Sequence, residues 1–531
     1  MSSRLTRNEI IQKDLELLKG SPREIINSLP ARVSQKISHW AKKSPTAPAL
    51  RFNGNTYTYQ KLGNIISNLK EALTFRGVRK GDRVMIVCEN SLALVSLMFA
   101  LSELDAWAVI VNARLSQFEI DRIYDHCDPR LVIFTSSVSK EAQKHADQYE
   151  AKDSILDDLD KAAVSKAREC QPEKVHDSGA DQVFVMIYTT GTTGDPKGVM
   201  LTHQNIGYVA TVTGLLRETS LGDSIYAVLP ISHMFGLSSV VMSAFFAGAC
   251  VHLESRFEAE MAINALGKHQ VSMLFGVPTM FVKILEHLKE TGLTLSMPNL
   301  RMIYAGGSPL DPTVKAEIQD YFRLPLHNGY GLTETGPTLC QTRLYDPAGD
   351  NSVGPILPGI ETRYVQNQSD KLSKVDEGEL WVRGPNIMKG YFKAPDLTIA
   401  VKDEEGWLNT GDLAKEDAEG NITIIGRTKE MIIRSGFNVY PLEVEAIINT
   451  HPLVSMSAVI GNPVDGDEEI VAFIKILPGK QLEISELESY LKDRMTAYKR
   501  PNRYIVLDDM PASPSGKVLL AKLKEQAKAY L

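Results

Sequence analysis

Short apolar runs alternating with helix-patterned segments constrain this chain more than any other feature it carries. Residues 83–87, 108–111 and 131–134 read as buried strands with helical segments between them, and such alternation calls for a layered α/β domain with parallel strands. Ahead of them, residues 50–52 and 56–59 flank Asn53-Gly54-Asn55, a hairpin signal. Leu62, Ile65, Ile66, Leu69 and Leu73 then fall at helical spacing, and Gly77 closes that helix. The rhythm resumes after a polar stretch near residues 150–180, with strands expected at 224–229, 271–275 and 301–305. From about Thr362 the pattern turns to β, at 362–366, 379–383 and 421–425. Strand, helix (442–450), strands, helix (484–495) and strand then make a compact α+β unit of roughly 100 residues. The expected fold is therefore α/β: a large N-terminal domain of layered α/β subdomains plus a β-rich subdomain, residues 1–428, followed by a small α+β C-terminal domain, residues 429–531.

A chain of 531 residues exceeds what one hydrophobic core supports. Its 58 Lys and Arg against 65 Asp and Glu give a net charge of −7, which argues against nonspecific nucleic-acid binding. Cys88, Cys127, Cys170, Cys250 and Cys340 are widely spaced with no Cys-x-x-Cys pair, so neither a zinc site nor a disulfide framework is indicated. The first residues carry Arg4, Arg7, Glu9, Lys13 and Asp14 with no apolar segment among them, unlike a secretory signal. Residues 234–253 lack formal charge but include Ser238, Ser239, Ser243, Gly248 and His252. They read as a buried helix leading into a strand. No membrane span, no nucleic-acid partner and a cytoplasmic location are the expectations.

The strongest local signal is Tyr188-Thr-Thr-Gly-Thr-Thr-Gly-Asp-Pro-Lys-Gly198, opened by the apolar strand 183–187. Gly191, Gly194 and Gly198 let the backbone approach a ligand. Thr189, Thr190, Thr192 and Thr193 supply hydroxyls, and Lys197 adds a cation. These are the requirements of a polyphosphate cradle. It is not a Walker A loop, because Lys197 is followed by Gly198 and not by Ser or Thr.

The loop resembles the phosphate loop of the adenylate-forming superfamily, which comprises acyl- and aryl-CoA synthetases, peptide-synthetase adenylation domains and firefly-type luciferases. Five further segments follow in that family's order: 305–309 (Ala-Gly-Gly-Ser-Pro), 328–335 (Asn-Gly-Tyr-Gly-Leu-Thr-Glu-Thr), 407–412 (Trp-Leu-Asn-Thr-Gly-Asp), 426–429 (Gly-Arg-Thr-Lys) and 514–517 (Pro-Ser-Gly-Lys). The resemblance, closest to acyl-CoA ligases, implies an ATP-, Mg²⁺- and CoA-dependent enzyme. It would join a carboxylic acid to AMP with loss of pyrophosphate, then pass the acyl group to a thiol, of free CoA or of an acyl carrier protein. A noncatalytic nucleotide-binding scaffold is the alternative of another class.

Each implied role has a chemical rationale. Glu334 offers a hard oxygen for Mg²⁺, and Thr333 a hydroxyl for the α-phosphate or a helix cap. Tyr330 offers a face for adenine, against the competing reading of a core tyrosine. Asn328 and the Gly306–Gly307 backbone would read and approach the adenine edge. Asp412 suits two ribose hydroxyls or an Asx turn, and Arg427 a ribose or phosphate contact or a surface ion pair. By the resemblance, Lys517 bridges carboxylate and α-phosphate, Lys429 is the hinge of a mobile C-terminal domain, and Gly436 lines the thiol tunnel.

On the acid side, Pro230-Ile-Ser-His233-Met-Phe235-Gly-Leu237 matches the family's acyl-pocket wall. His233 reads as a gate near the carboxylate and thiol tunnel, or equally as a core histidine. No aspartate occupies that segment, which disfavours amino acids. Met234, Phe235, Val277, Pro278, Gly329 and Thr338 would form an apolar pocket. Ile433 and Ser435 stand where many hydroxycinnamate ligases carry lysines, which tilts the expected substrate toward a fatty acid, with an aryl acid as the other option.

Overall fold

The computed structural model describes residues 4–153, 162–190, 196–268, 270–366, 376–434, 437–464, 467–512 and 518–530. Among these, two eight-stranded sheets dominate. The first runs, in spatial order, Gly390–Tyr391, Pro196–Thr202, Val183–Thr190, Trp107–Asn112, Arg83–Cys88, Leu131–Phe134, Ala163–Val164 and Lys152–Asp153. The second runs Thr338–Gln341, Leu326–Gly331, Met302–Ala305, Met273–Gly276, Ser224–Ala227, Cys250–Leu253, Pro48–Phe52 and Asn55–Thr58.

One core joins these sheets, and the helices packed between them account for it. Every residue from Leu92 to Ser102 is buried in the helix Leu92–Glu103, as expected of a helix that is apolar all round. The helix His203–Leu216 and the segment after Met234 share that layer. On the outer face of the first sheet pack residues of Gln117–Cys127 and Lys140–Gln148. On the outer face of the second pack Ala259–Lys268, Pro278–Thr291 and Pro312–Phe322. The result is a five-layered helix–sheet–helix–sheet–helix arrangement.

The expected strands at 83–87, 108–111, 131–134, 224–229, 271–275 and 301–305 are present within a few residues of their expected ends. Their partners do not follow chain order. Leu50 pairs in parallel with Val251, so the early hairpin belongs to the second sheet. Ala108 pairs in parallel with Val185, so the strand before the Thr/Gly loop belongs to the first. The uncharged stretch from 234 forms a π-helix, Phe235–Met242, then an α-helix, Ser243–Ala247, and the strand Cys250–Leu253.

Glu361–Val365, Glu377–Arg383, Leu408–Glu416 and Ile422–Arg427 form an antiparallel four-stranded sheet. Beyond it, Ile432–Arg434 pairs with Phe437–Val439, and Val454–Val464, Asp467–Ile476 and Arg503–Val506 make a three-stranded sheet. The helices Pro441–Ile448, Ile484–Lys492 and Leu520–Tyr530 cover this smaller sheet, whose buried clusters are its own. A large α/β N-terminal part and a small α+β C-terminal part are thus both present. No helix among the described residues is long and apolar enough to cross a membrane.

Candidate functional site

The Thr/Gly loop joins two strands of a hairpin. Val183–Ile187 are buried, and Thr189 faces Lys197 while Thr190 faces Pro196 across the hairpin. Gly191, Thr192 and Thr193 lie outside the described residues. Gly198 is required by packing, because a Cβ there would stand 2.8 Å from Met186 Sδ and 3.2 Å from Tyr188 Cζ.

Tyr391 pairs with Val199 beside this hairpin, and the Lys197 ammonium lies 5.5 Å from its ring centroid. The same phenol donates to Glu334 Oε1 at 2.8 Å. Burial, reinforced by the Glu334 charge, holds the Tyr391 phenol well above its ordinary pKa, so it stays a donor. Glu334 sits in the 3₁₀ turn Thr333–Thr335, which Met388 N anchors by donating to Glu334 O at 2.8 Å and Asn386 Nδ2 by donating to Thr335 O at 2.8 Å. Gly331 lets the chain fold back here, since a Cβ would meet Pro337 O at 1.8 Å. Cation, phenol and carboxylate from three distant segments thus stand in a row.

No group of three or more His, Cys, Asp or Glu side chains able to hold a metal occurs among the described residues. The single hard carboxylate of Glu334 suits a small divalent cation that takes its remaining ligands from phosphates and water, the usual mode for Mg²⁺.

A second cluster centres on Asp412, which is 3% exposed. Its Oδ1 is 3.0 Å from Arg427 Nε, its cross-strand neighbour, and its Oδ2 accepts the hydroxyl of Tyr330. Gly411, at φ +70°, and Asn409, whose Oδ1 accepts Gly411 N at 2.8 Å, shape the turn that presents it. Burial opposes the Arg427 charge, but Asp412, Glu430, Tyr330 and Glu334 outweigh it and hold its pKa high. The two carboxylates therefore share one electrostatic neighbourhood. Tyr330, expected to present a face to adenine, is also a half-buried link in this network; desolvation first, then Asp412, keeps its phenol protonated.

Asn328 is buried, with Oδ1 accepting Gly329 N at 2.9 Å and its own N donating to Thr342 Oγ1 at 3.0 Å. Gly306 follows the strand Met302–Ala305, and a Cβ there would stand 3.1 Å from Phe235 Cζ. Gly307 has φ +80°, in the left-handed region.

On the acid side, Phe235 and Tyr304 lie with ring centroids 6.0 Å apart. A Cβ on Gly329 would meet Tyr304 Oη at 1.8 Å. Thr338 Oγ1 donates to Ser239 Oγ at 3.4 Å. Val277 and Pro278 are buried, and Pro278 opens the helix Pro278–Thr291. Met234 is buried in the central core. His233 is exposed and not a core histidine; its Nδ1 accepts Phe235 N at 3.3 Å, which places the ring proton on Nε2.

Lys429 is exposed in the turn after Arg427, where Glu430 N and Met431 N both donate to Arg427 O at 3.0 Å. Gly436 and Lys517 lie outside the described residues. Tyr391 had no signal in the sequence beyond an aromatic after Gly390.

The AMP-binding enzyme family matches residues 37–392, and the AMP-binding enzyme C-terminal domain matches residues 443–517. The feruloyl-CoA synthase of Amycolatopsis sp is 31% identical over 501 residues, covering 93% of this chain and 99% of the relative. The crystal structure of ATP-bound MatB from Rhodopseudomonas palustris superposes with a TM-score of 0.81 at 28% identity, covering 93% of this chain and 99% of that one. The o-succinylbenzoate CoA synthetase (MenE) of Bacillus subtilis, solved with ATP and magnesium ion, gives 0.78 at 28% identity over 92% and 99%. The chain belongs to the AMP-binding enzyme family, the adenylate-forming enzymes, and within it stands with the acyl-CoA synthetases.

Proposed function

We propose that this chain activates a hydrophobic carboxylic acid with ATP and transfers the acyl group to CoA. The observation that carries the reading is the row Lys197–Tyr391–Glu334 set in one electrostatic neighbourhood with Asp412 and Arg427. A cation, a hard carboxylate and a ribose-facing carboxylate are what a bound nucleoside triphosphate requires at its phosphates, its metal and its sugar.

In this reading Thr189, Thr190, residues 191–195 and Lys197 hold the β- and γ-phosphates. Glu334 holds Mg²⁺, which supplies charge neutralisation on the phosphate oxygens. Thr333 donates to the α-phosphate. The Gly306–Gly307 backbone approaches the adenine, with Asn328 at its edge, while the side of Gly306 that a Cβ would occupy faces Phe235 of the acid wall, and Asp412, oriented by Tyr330 and Arg427, accepts from the ribose. The acid's carboxylate attacks the α-phosphorus, pyrophosphate leaves, and Lys517 steadies the charge that develops. A thiol then attacks the acyl carbon and AMP departs. A lysine lying across the anhydride obstructs that thiol, so we place a domain boundary at 428/429. Rotation about Lys429 would withdraw Lys517 and bring Gly436 to the thiol's path, with His233 exposed near the entrance.

Relatives named for feruloyl and o-succinylbenzoate substrates support an aryl acid over the fatty acid expected from Ile433 and Ser435. Purified protein incubated with ATP, Mg²⁺, CoA and a panel of aryl, fatty, dicarboxylic and amino acids, read by mass spectrometry, tests the reading. AMP with a defined acyl-CoA supports it. Acyl-AMP without acyl-CoA moves the acceptor to a carrier-protein thiol, and absence of AMP with every acid leaves only nucleotide binding.

A further inference from the structure

Among the described residues, three arginines rank with the largest fully buried side chains: Arg83, Arg217 and Arg343. Two of them are neutralised. Arg83 Nη1 lies 2.6 Å from Glu173 Oε1, and Arg343 Nη2 lies 2.7 Å from Asp14 Oδ2. Arg217 makes no ion pair among the described residues. Its Nη1 donates to Ser239 O at 2.5 Å, its Nη2 to Ser239 Oγ at 2.8 Å and its Nε to Gln341 Oε1 at 3.1 Å. The guanidinium also stands 4.8 Å from the Tyr304 ring centroid and 5.0 Å from that of Phe275. A buried charge with only neutral partners is costly, and burial depresses the Arg217 pKa accordingly.

The neighbourhood is rich in donors that lack acceptors. Gln341 is 1% exposed. Its Oε1 is engaged by Arg217, which leaves Nε2 as the donor, and Nε2 has no hydrogen-bond partner. Ser238 Oγ, one residue from Ser239, is also buried without a partner. Location connects this cluster to the acid side of the site. Tyr304, which Arg217 faces, is the ring that packs on Phe235 and fills the space over Gly329. Ser239, which Arg217 holds, accepts the hydroxyl of Thr338. The Phe235–Tyr304 wall thus has the nucleotide-side glycine Gly306 at one end and Arg217 at the other.

We propose that Arg217, with Ser239 and Gln341, forms the far end of the acid pocket and selects an acid that bears a second carboxylate remote from the one activated. The inference rests on the acid-activating reading above. A second carboxylate would give the guanidinium its missing counter-ion and Gln341 Nε2 its missing acceptor, and charge-assisted pairing of this kind is directional as well as strong. An acid ending in a methyl group would leave both unpaired.

Pyrophosphate exchange and acyl-CoA formation would be measured with matched acids: para-carboxycinnamate against para-methylcinnamate, and glutarate, adipate and suberate against monoacids of equal length. The expected result is a diacid-over-monoacid ratio of kcat/KM of at least about tenfold in the best pair, carried by KM. That ratio should collapse in Arg217→Met. Gln341→Glu, which supplies an internal counter-ion and removes the donor, should also abolish it and decides the matter where Arg217→Met does not fold. A purely structural Arg217 would lower both acids equally. Wild-type preference for the monoacids, or an unchanged ratio in the variants, overturns the inference and leaves acid activation standing. Failure to form AMP with any acid, diacids included, removes both.

Discussion

Tyr391 donates its phenolic hydrogen to Glu334 Oε1 at 2.8 Å while carrying the Lys197 ammonium over the same ring. One side chain thereby links the Thr/Gly-loop cation Lys197 to the candidate metal carboxylate Glu334. Tyr391→Phe keeps the ring under Lys197 and removes only the hydrogen bond. A bond to a charged acceptor contributes about 1.5–3 kcal/mol, so kcat for adenylation should fall about 10- to 100-fold. The Mg²⁺ concentration for half-maximal pyrophosphate exchange should rise with it. A fall in kcat at unchanged Mg²⁺ dependence would separate Tyr391 from the role of Glu334.

Asp412 presents a sharper case, because both of its oxygens already have protein donors, Arg427 and Tyr330. Each carboxylate oxygen has further lone-pair capacity for a ribose hydroxyl. Asp412→Asn replaces an acceptor with a donor and strands Arg427, so KM for ATP should rise about 10- to 100-fold. Tyr330→Phe removes one orienting bond and should cost about 3- to 10-fold. Equal KM values for the two variants would mean that the network, not the carboxylate, contacts the nucleotide. Titrating ATP in pyrophosphate exchange distinguishes these outcomes.

The C-terminal part carries its own pH dependence. Glu445, in the helix Pro441–Ile448, accepts the amide of Val459 at 2.8 Å. Burial raises its pKa from the ordinary 4.5 to about 7, with Glu430 adding to the rise and the Val459 amide opposing it. A carboxyl whose folded pKa is raised contributes stability that is fully present below about pH 4.5 and is lost as pH rises through about 7. The loss is on the order of 3 kcal/mol. Glu445→Gln keeps the acceptor for Val459 and cannot ionise, so the drop in Tm between pH 5 and pH 8 should shrink in this variant. An identical pH profile would assign the drop to other groups.

Lys429 sits in an exposed turn whose backbone bonds are made by Thr428, Glu430 and Met431 and not through the amide of 429. Proline at this position restricts φ while leaving those bonds in place. If the turn is the pivot between the two half-reactions, Lys429→Pro should retain acyl-AMP formation within a few-fold and lose acyl-CoA formation from pre-formed acyl-AMP. Equal loss of both steps would count against a pivot here. Single-turnover assays of each half-reaction give the comparison.

What the sequence made legible follows physical lines. Strands such as Arg83–Cys88, buried along their whole length, announce themselves as apolar runs. Leu408–Glu416 does not, because Asn409, Gly411 and Asp412 put polar residues and a turn inside the strand. The π-helix Phe235–Met242 lies in a segment apolar on every side, where no periodicity marks the wider winding. The pairing of Leu50 with Val251 depends on contacts far along the chain. Of the candidate site, Glu334 and Asp412 stand in motifs with characteristic spacing. Tyr391 and Arg217 do not, since a lone aromatic or a lone arginine at a helix end has no pattern until the fold gives it neighbours.

Gly306 offers the most direct probe of where the acid lies. A methyl group there would stand 3.1 Å from Phe235 Cζ and 3.5 Å from Tyr304 Cε1, so the Phe235 ring tip must yield by a few tenths of an ångström. That ring is packed against Tyr304, which resists the shift, and whatever binds between Gly306 and Phe235 loses width. Gly306→Ala should therefore lower kcat/KM for an aryl acid about 10- to 100-fold, the range of one misfit methyl group. An acid as small as acetate or propionate should lose far less. If both fall together and Tm falls by several degrees, the methyl is straining the core and Gly306 does not border the acid.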